Sequence, residues 1–399
     1  MFRISDILKK HKKTEAPFPD PAGEKAAGQP APSAEPSSTM KVDHTGNVRF
    51  EFKPETGPGH HIYEGQGVVV SRKNIPKEAA QVAGVFLEEE AEKATAAGSM
   101  KLYNEALEIV RRAYTPNLKD EPDFFKKILA VVEKAITLIA ENNRGIHILS
   151  CRDYPSPEDG FYYHITNVFF MSIDLGIGMG LDRSRLAELG AGALLHDIGM
   201  RDLSERDKQE PLDNCEYSKI KQHPEVGVAI LKKMNADISK TILDVVRQEH
   251  ERSDGSGYPD GAKSEEISED AQVVGLIDSY EAMIHYRPYR LRYTPLEAMS
   301  VMLKNKNIFG PKIIKALILR VGVFPLGTIV VLNTKEIGIV INNQPELPFR
   351  PVVRIIFDPY GRDLKNPKEI DLAENPIIYI DDCVKEDREI SDYKVAKQP

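Results

Sequence analysis

Five helix-forming apolar segments, each with a histidine or an acidic residue facing inward, constrain the fold of this chain more than any other feature. These residues are His164, His196, His223, His250 and Asp278, and the intervals between them are 32, 27, 27 and 28 residues. Apolar residues recur around them at three- and four-residue steps, which is the period of an amphipathic helix. The sequence therefore predicts a helical domain over residues 146–325, with each candidate residue on a helix of its own.

The composition is that of a globular protein with enough apolar residues for a sizeable core. Hydrophobic residues make up 41% of the 399 residues and charged residues 29%, which excludes a disordered or fibrous chain. The 53 basic and 61 acidic residues give a net charge of −8. That balance argues against binding of nucleic acid polymers, since these require a basic surface.

The cysteines and the N-terminal residues indicate the cellular compartment in which the protein is expected. Cys151, Cys215 and Cys383 lie far apart without a CxxC pair, so we expect free or buried thiols and neither a disulfide framework nor a structural zinc site. The sequence has no signal-peptide core and no run of about 18 apolar residues. We therefore expect a cytoplasmic protein.

Three segments precede the helical domain. Residues 1–45 are predicted to be a disordered tether rich in Pro, Ala, Gly and Ser, with a short amphipathic N-terminal helix that is a minor candidate for membrane or partner docking. Residues 46–74 are left unassigned, because 48–52 alternates like a strand while Gly57-Pro58-Gly59 indicates turns. Residues 75–145 are predicted to be a helical lead-in, with helices over 77–95, 99–114 and 122–141.

Beyond residue 325 the apolar period changes from helical to alternating. Segments 328–332 and 337–341 predict two strands around a turn, and segments 352–357 and 377–380 predict two more. The sequence thus predicts a small β-module over residues 326–385, followed by a tail over 386–399. Neither module nor lead-in carries a chemical motif, so we expect docking, dimerisation or regulation, with simple capping of the helical core as the alternative.

The candidate residues have the chemistry of a metal site. Imidazoles and carboxylates without thiolates suit Fe or Mn above all, with Zn and Mg less favoured. Acidic residues on apolar helices are costly to bury unless a metal or hydrogen bonds compensate. Asp197, directly after His196, or Asp278 can also bridge two ions that act together on a phosphoryl group. One such residue alone is more often structural, but the ordered series favours a metal site.

Cationic residues near the candidate ligands indicate an anionic substrate. Arg252 lies in the glycine-rich stretch 251–261, which can form a lip over the site, although such stretches are usually plain surface loops. Arg287 and Arg290 follow Asp278 by a few helical turns, and their guanidinium groups suit phosphate recognition. The alternative for them is a solvated charged face.

Taken in order, these motifs resemble the HD-GYP family, a branch of the HD phosphohydrolases. The motifs are His196-Asp197, His223-Pro224-x-x-Gly227, His250-Glu251-Arg252-x-Asp254-Gly255-x-Gly257-Tyr258-Pro259 and Asp278-x-Tyr280-Glu281-Ala282-Met283-x-x-x-Arg287-Pro288-Tyr289-Arg290. The resemblance runs from about His164 to Arg290. It implies a mainly α, HD-type phosphohydrolase domain with a di- or trinuclear iron or manganese site that hydrolyses cyclic di-GMP to pGpG or GMP. By matching positions it implies that His164, His196, Asp197, His223, His250 and Asp278 are metal ligands, and that Arg287 and Arg290 contact the nucleotide phosphates.

Three positions depart from the family pattern. Glu249 stands where the family commonly has a histidine ligand, and we expect it to bind metal while adding negative charge and shifting the preference toward Mn. Met200 stands where a lysine often reaches a substrate phosphate, with Arg201 as a partial substitute. Gly160 stands where trinuclear members have a glutamate, so we expect two divalent ions and not three.

Three hypotheses follow for the function. The leading one is a binuclear phosphodiesterase acting on cyclic di-GMP, with His196 and Asp197 at the catalytic centre and Asp197 bridging the ions. The second is a catalytically weak module of the same fold that binds the nucleotide, or recruits a protein through the Gly-Tyr-Pro loop or the β-module. The third keeps catalysis but changes the substrate to another cyclic dinucleotide or a nucleoside phosphate. Formation of a homodimer is left open.

Overall fold

The computed structural model describes residues 36–42, 48–54, 98–115, 123–141, 144–151, 159–201, 220–234, 237–285, 295–305 and 307–383, together with Glu89, Tyr154 and Tyr293. Within these ranges the chain is mainly helical and ends in a small antiparallel sheet, which confirms the predicted fold class. The helices are α1 (Ser99–Ala113), α2 (Phe124–Glu141), α3 (Arg144–Cys151), α4 (Gly160–Gly178), α5 (Arg183–Leu195), α6 (His223–Met234), α7 (Lys240–Gln248), α8 (Glu269–Ile284), α9 (Pro295–Lys304) and α10 (Pro311–Val321). The strands are β1 (Pro36–Val42), β2 (Val48–Pro54), β3 (Ile329–Leu332), β4 (Ile337–Asn342), β5 (Val352–Phe357), β6 (Asp363–Asp371) and β7 (Ile380–Cys383).

The lead-in helices α1 and α2 lie within one or two residues of their predicted bounds. In α2, Ile128, Val131, Val132 and Ile139 are buried, as the helical period requires of a face that packs on a core,. The helix predicted over 77–95 lies outside the described residues apart from Glu89, and so do the N-terminal helix and Cys215.

Strands β1 and β2 form a two-stranded antiparallel hairpin within a separate compact unit, residues 20–77. Met40 pairs with Phe50 and Val42 pairs with Val48. The prediction of a disordered tether up to residue 45 is therefore wrong for Pro36–Val42. The alternation in β2 was visible in the sequence, but a strand needs a partner. The composition of residues 14–40 gave no sign that the partner is the preceding segment.

Helices α4 and α8 lie in the core of the helical domain and are buried on nearly all faces. A helix that is apolar all round is buried in this way, and polar residues within it lie in the interior. His164 and Asp278 are such residues, with 0% and 2% of their surfaces exposed. The two helices therefore bring an imidazole and a carboxylate together inside the domain.

Two glycines allow backbone segments to approach the ligand-bearing residues closely. A Cβ atom on Gly199 would lie 2.0 Å from the carbonyl oxygen of His223, and one on Gly275 would lie 2.2 Å from the carbonyl oxygen of Glu249. No side chain fits at either distance, so only glycine permits these approaches. As a result, the turn after α5 packs closely against the start of α6, and α8 packs closely against the end of α7.

The C-terminal sheet has the strand order β6-β5-β4-β3-β7, and all its pairs are antiparallel. Strands β3, β4 and β5 lie where the alternating pattern predicted them. Strand β6 was missed because it is polar and contains Pro367, features that an edge strand tolerates. The strand predicted over 377–380 is wrong except at Ile380, because Arg350 donates hydrogen bonds to the carbonyls of Leu372, Pro376 and Ile378 and holds that segment as a loop.

Candidate metal centre

The seven predicted ligands come together inside the helical domain as two groups. The first group, called site A here, is Asp197, His223, Glu249 and His250, and the second, called site B, is His164, His196 and Asp278. Within each group, one ligand atom from every residue lies within 4.8 Å of the others. All seven residues are at least 97% buried. Two adjacent, enclosed sets of imidazoles and carboxylates result.

Helix ends position most of these side chains. His196 and Asp197 follow the last residue of α5, His223 begins α6 with Pro224 behind it, and Glu249 and His250 follow the last residue of α7. Proline suits the first turn of a helix because the backbone there needs no amide donor. The side chains of Asp182, Ser239 and Ser268 cap the starts of α5, α7 and α8 by accepting backbone hydrogen bonds,. The prediction that each ligand or pair belongs to its own helix is confirmed.

Asp197 lies between the two sites and faces both. Its Oδ1 atom is 3.3 Å from Nε2 of His223 in site A, and its Oδ2 atom is 3.7 Å from Nε2 of His196 in site B. Neither oxygen has a hydrogen-bond partner in the described part of the chain, and Nε2 of His196 has none either. A buried polar atom left in this state costs about 1–3 kcal/mol. One cation at each site would satisfy all three atoms.

The charge balance of the centre also favours bound cations. Among the described residues, no lysine or arginine pairs with Asp197 or Asp278, and only imidazoles lie against them. A buried carboxylate normally has a cationic partner or a metal. Nitrogen and oxygen donors without thiolate match a divalent first-row ion, so the residues present fit the metals that the resemblance implies.

The protonation states suit metal binding. Burial lowers the pKa of His196 below its usual range, and the attraction of Asp197 and Asp278 only partly opposes this effect. Burial by itself would raise the pKa of Asp197, but the net shift of this pKa is downward, and the neighbouring His196 and His223 contribute to it. The pKa of Asp278 is also lowered against the effect of burial, and His164 and His196 are among the groups that lower it. The carboxylates are therefore ionised and His196 is neutral, which are the forms that bind metal.

Backbone carbonyls orient two of the imidazoles. Nδ1 of His196 donates to the carbonyl of Ala193 over 2.7 Å, and Nδ1 of His223 donates to the carbonyl of Ile220 over 2.8 Å. A proton on Nδ1 leaves the lone pair on Nε2, and in both residues Nε2 points into the centre. Both rings are thus fixed in the ligand tautomer by neutral acceptors.

His164 is oriented differently, by a carboxylate that the sequence analysis did not single out. Nδ1 of His164 forms a short hydrogen bond with Oε2 of Glu281, which is fully buried. Oε1 of Glu281 accepts hydrogen bonds from Tyr154 over 2.7 Å and from Asn167 over 2.9 Å, and Nδ1 of His285 lies 3.0 Å away. The signal was present as Asp-x-x-Glu-x-x-x-His on one helix, but its use depends on where α4 and Tyr154 lie.

The glycine-rich loop closes over site A. The buried carboxylate of Glu251 accepts hydrogen bonds from the backbone amides of Asp260 and Ala262. The ring of Tyr258 stacks on His250 at a centroid distance of 5.1 Å, and the ammonium of Lys221 lies 5.5 Å from the centroid of the Tyr258 ring. The loop therefore covers a ligand imidazole with an aromatic ring, and a cation lies against that ring.

The structure gives Arg252 a role in positioning this loop. Its guanidinium donates to the carbonyls of Glu249 and Glu251 and packs over the ring of Phe309. Contact of Arg252 or of the half-buried Arg201 with a substrate remains a prediction. Arg287 and Arg290 lie outside the described residues.

The structure shows what surrounds two of the residues that depart from the family pattern, Met200 and Gly160. The side chain of Met200 is 1% exposed and belongs to the hydrophobic core, so position 200 presents no cation to the centre. A Cβ atom on Gly160 would lie 3.3 Å from the ring of Tyr154, so the space beside this glycine is occupied by an aromatic side chain.

Comparisons with known proteins give two domain families. Residues 165–313 match the HD domain, and residues 329–391 match the KOW domain associated with HD domain. The first range contains all but one of the seven predicted ligands, and His164 directly precedes it. The second range begins with the first strand of the C-terminal sheet, so the predicted β-module is a recognised companion of HD domains.

Curated relatives match the helical domain at moderate identity. A cyclic di-GMP phosphodiesterase of Pseudomonas aeruginosa is 29% identical over 53% of this chain and 51% of its own length. A cyclic di-GMP phosphodiesterase of Borreliella burgdorferi is 29% identical over 53% of this chain and 54% of its length. A 3'3'-cGAMP-specific phosphodiesterase of Vibrio cholerae is 34% identical over 29% of this chain and 25% of its length. The chain thus spans about half the length of the first two relatives.

None of the helices in the described ranges is both long and apolar enough to cross a bilayer.

Proposed function

Because this chain belongs to the HD-GYP family, we propose that it is a metal-dependent phosphodiesterase that hydrolyses cyclic di-GMP to pGpG or GMP. The observation that carries the proposal is the pair of adjacent buried sites with Asp197 between them, one oxygen facing each. Relatives named as cyclic di-GMP phosphodiesterases support the substrate.

The metal-binding part of the proposal assigns one divalent ion to each site. Site A would hold its ion through Asp197, His223, Glu249 and His250, and site B through His164, His196 and Asp278, with Asp197 shared between them. When bound, a pair of such ions supplies Lewis-acid activation of a phosphate and of the water that attacks it. We expect Fe or Mn, since the donors are imidazoles and carboxylates.

The protein's own residues organise the reaction around these ions. Burial of the centre excludes bulk water, which strengthens every charge interaction within it. The bonds from His196 and His223 to backbone carbonyls hold their Nε2 atoms in place before any ion arrives, so little reorganisation is needed on binding. The Tyr258 ring and the Glu251-anchored loop form the lip beside site A.

On the substrate side we assign Arg287, Arg290, Arg201 and Arg252 to the nucleotide phosphates, as the motif order suggests. The guanidinium fork suits a phosphodiester better than a point charge does. Because Met200 is buried in the core, position 200 offers no lysine to bind a substrate phosphate. In this proposal the arginines alone bind the phosphates.

A second candidate is a catalytically weak protein of the same fold that binds the nucleotide. It is favoured by Glu249, which lies 3.2 Å from Nε2 of His223 and adds a third carboxylate to the centre. Extra negative charge there opposes the approach of an anionic substrate. A third candidate, hydrolysis of another cyclic dinucleotide, is favoured by the relative named as specific for 3'3'-cGAMP.

The test is elemental analysis of the anaerobically purified chain together with turnover of cyclic di-GMP, 3'3'-cGAMP and a nucleoside phosphate. We expect two ions per chain and hydrolysis of cyclic di-GMP, abolished by Asp197→Ala and retained by Asp363→Ala, which changes an exposed carboxylate on β6. Full metal occupancy with no hydrolysis of cyclic di-GMP would contradict the proposal. Nucleotide binding that survives His196→Ala without product would favour the second candidate.

A further inference from the structure

The two candidate metal positions differ in the groups that support their ligands. In site A, the Nδ1 atom of His223 donates to a neutral backbone carbonyl. In site B, His196 does the same, but His164 donates to the side-chain carboxylate of Glu281. A carboxylate behind a ligand imidazole fixes the ring and raises the basicity of its other nitrogen.

Glu281 is placed for this task by helix α8 itself. It follows Asp278 by three residues, so both carboxylates lie on one face of the helix. Oδ1 of Asp278 is 3.0 Å from Nε2 of His164, while Glu281 contacts Nδ1 of the same ring. One helix therefore supplies both a ligand of site B and the acceptor that orients its neighbouring ligand.

Glu281 is in turn held by neutral groups and an imidazole. Tyr154 and Asn167 donate to its Oε1 atom, and Asn167 accepts a hydrogen bond of 2.6 Å from Tyr103 on α1. The ring of His285 stacks on that of Tyr154 at 4.8 Å, and its Nδ1 atom lies 3.0 Å from Glu281. Its carboxylate is thus held in a fixed position beside His164.

We propose that Glu281 is a positioning residue that strengthens site B through His164 and makes the two metal positions unequal in affinity. The inference rests on the proposed binuclear site but not on its catalytic activity. The dependence on Glu281 is assigned to site B, because the ligand imidazole that Glu281 contacts, that of His164, belongs to site B.

The experiment measures metal binding directly. The full chain is stripped with a chelator and titrated with Mn²⁺, and the free ion is counted by its electron paramagnetic resonance signal. We expect the wild type to bind two ions. In Glu281→Gln one of the two should bind about 10–100-fold more weakly, as is typical when an outer-shell partner is lost, and the other should be unchanged. Glutamine keeps the shape and an acceptor oxygen but removes the charge.

A matched control comes from the same helix as His164. Asp174 on α4 also pairs with a histidine, His147, but outside the centre, so Asp174→Asn should leave both Mn²⁺ affinities unchanged. If Glu281→Gln does not fold, Tyr154→Phe removes one hydrogen bond from Glu281 and should weaken the same ion to a smaller extent.

The outcomes separate the two proposals. Equal loss at both positions, no loss at either, or a wild type that binds fewer than two ions would overturn the role of Glu281. Two unequal ions in a chain that hydrolyses no cyclic dinucleotide would overturn the proposed function and leave this inference intact.

Discussion

Helix α4 contributes one residue to each of two buried clusters in which a histidine contacts a carboxylate, and the surroundings of the two clusters differ. Near its C-terminal end, Asp174 accepts from His147 over 2.6 Å and from Arg320 over 2.8 Å. Near its start, His164 belongs to a centre with three ligand carboxylates, in which neither Asp197 nor Asp278 has a lysine or arginine partner among the described residues. At Asp174 the chain supplies a cation to a buried carboxylate, whereas at the candidate centre the described residues that lie against Asp197 and Asp278 are imidazoles.

This difference distinguishes a structural cluster from a candidate binding site. At Asp174 both carboxylate oxygens are satisfied within the protein, so the cluster is complete. At the centre the oxygens of Asp197 and Nε2 of His196 form no hydrogen bond with any described residue. Atoms buried in that state reduce stability, and a bound cation explains why they are there.

The largest expected effect is on activity. Asp278→Asn removes a charged ligand of site B, so we expect turnover of the cyclic dinucleotide to fall by more than the about 10–100-fold that loss of an outer-shell partner causes. Steady-state kinetics at saturating Mn²⁺ measure this fall. The same substitution at Asp174 should change turnover little, and equal losses in the two variants would remove the distinction between the clusters.

The next effect is on stability. Asp174→Asn breaks an ion pair between a buried carboxylate and the partly buried Arg320. We expect the free energy of unfolding to fall by about 1–3 kcal/mol, less than for a fully buried pair, because water reaches part of the arginine side chain. Denaturant unfolding of metal-free protein measures this change. A loss below about 1 kcal/mol would show that the Asp174 cluster is not a structural one.

The helices and the residues of the buried cluster could be predicted from the sequence, because both are local patterns, while the role of the cluster as metal ligands stays a prediction. Apolar periodicity marked α1, α2 and the ligand helices, and His196-Asp197 or His223-Pro224 stand out within a few residues. The division of the ligands into two sites could not be predicted, since it depends on how five helices pack.

The features that the sequence did not reveal all depend on a partner in another segment of the chain. Glu281 acts on His164 across 117 residues, and Tyr154 reaches Glu281 from the segment before α4. Strand β1 is defined by its pairing with β2, and the polar edge strand β6 is defined by its pairing with β5. None of these partners follows from the local spacing of residues.

A smaller effect is expected at Glu249. Glu249→His removes one negative charge from site A and restores the residue type that the family pattern has at this position, so we expect a severalfold rise in kcat. Elemental analysis should show the same number of ions in both proteins. An unchanged or lower kcat at equal occupancy would mean that Glu249 does not limit the natural activity.

The smallest effect concerns pH. Burial would raise the pKa of Asp174, but His147 and Arg320 outweigh it, and the pKa lies below its usual value. A carboxyl with a lowered pKa contributes stability above its unfolded pKa of about 3.9 and loses that contribution as the pH falls through its folded pKa. The stability difference between wild type and Asp174→Asn should therefore shrink below about pH 4. A difference that is constant from pH 6 to pH 3 would contradict this assignment.

The most direct test of the metal centre is thermal unfolding with and without Mn²⁺ in wild type, Asp197→Asn and Asp174→Asn. At an ion concentration of about 100 times Kd, binding to the folded state should add about 2.7 kcal/mol per site to the free energy of unfolding. We predict that wild type and Asp174→Asn gain the same stabilisation from the metal, although the second starts from a lower Tm, and that Asp197→Asn loses most of it. A gain in Asp197→Asn equal to that of the wild type, or no gain in any of the three proteins, would contradict the assignment of this cluster as a metal centre.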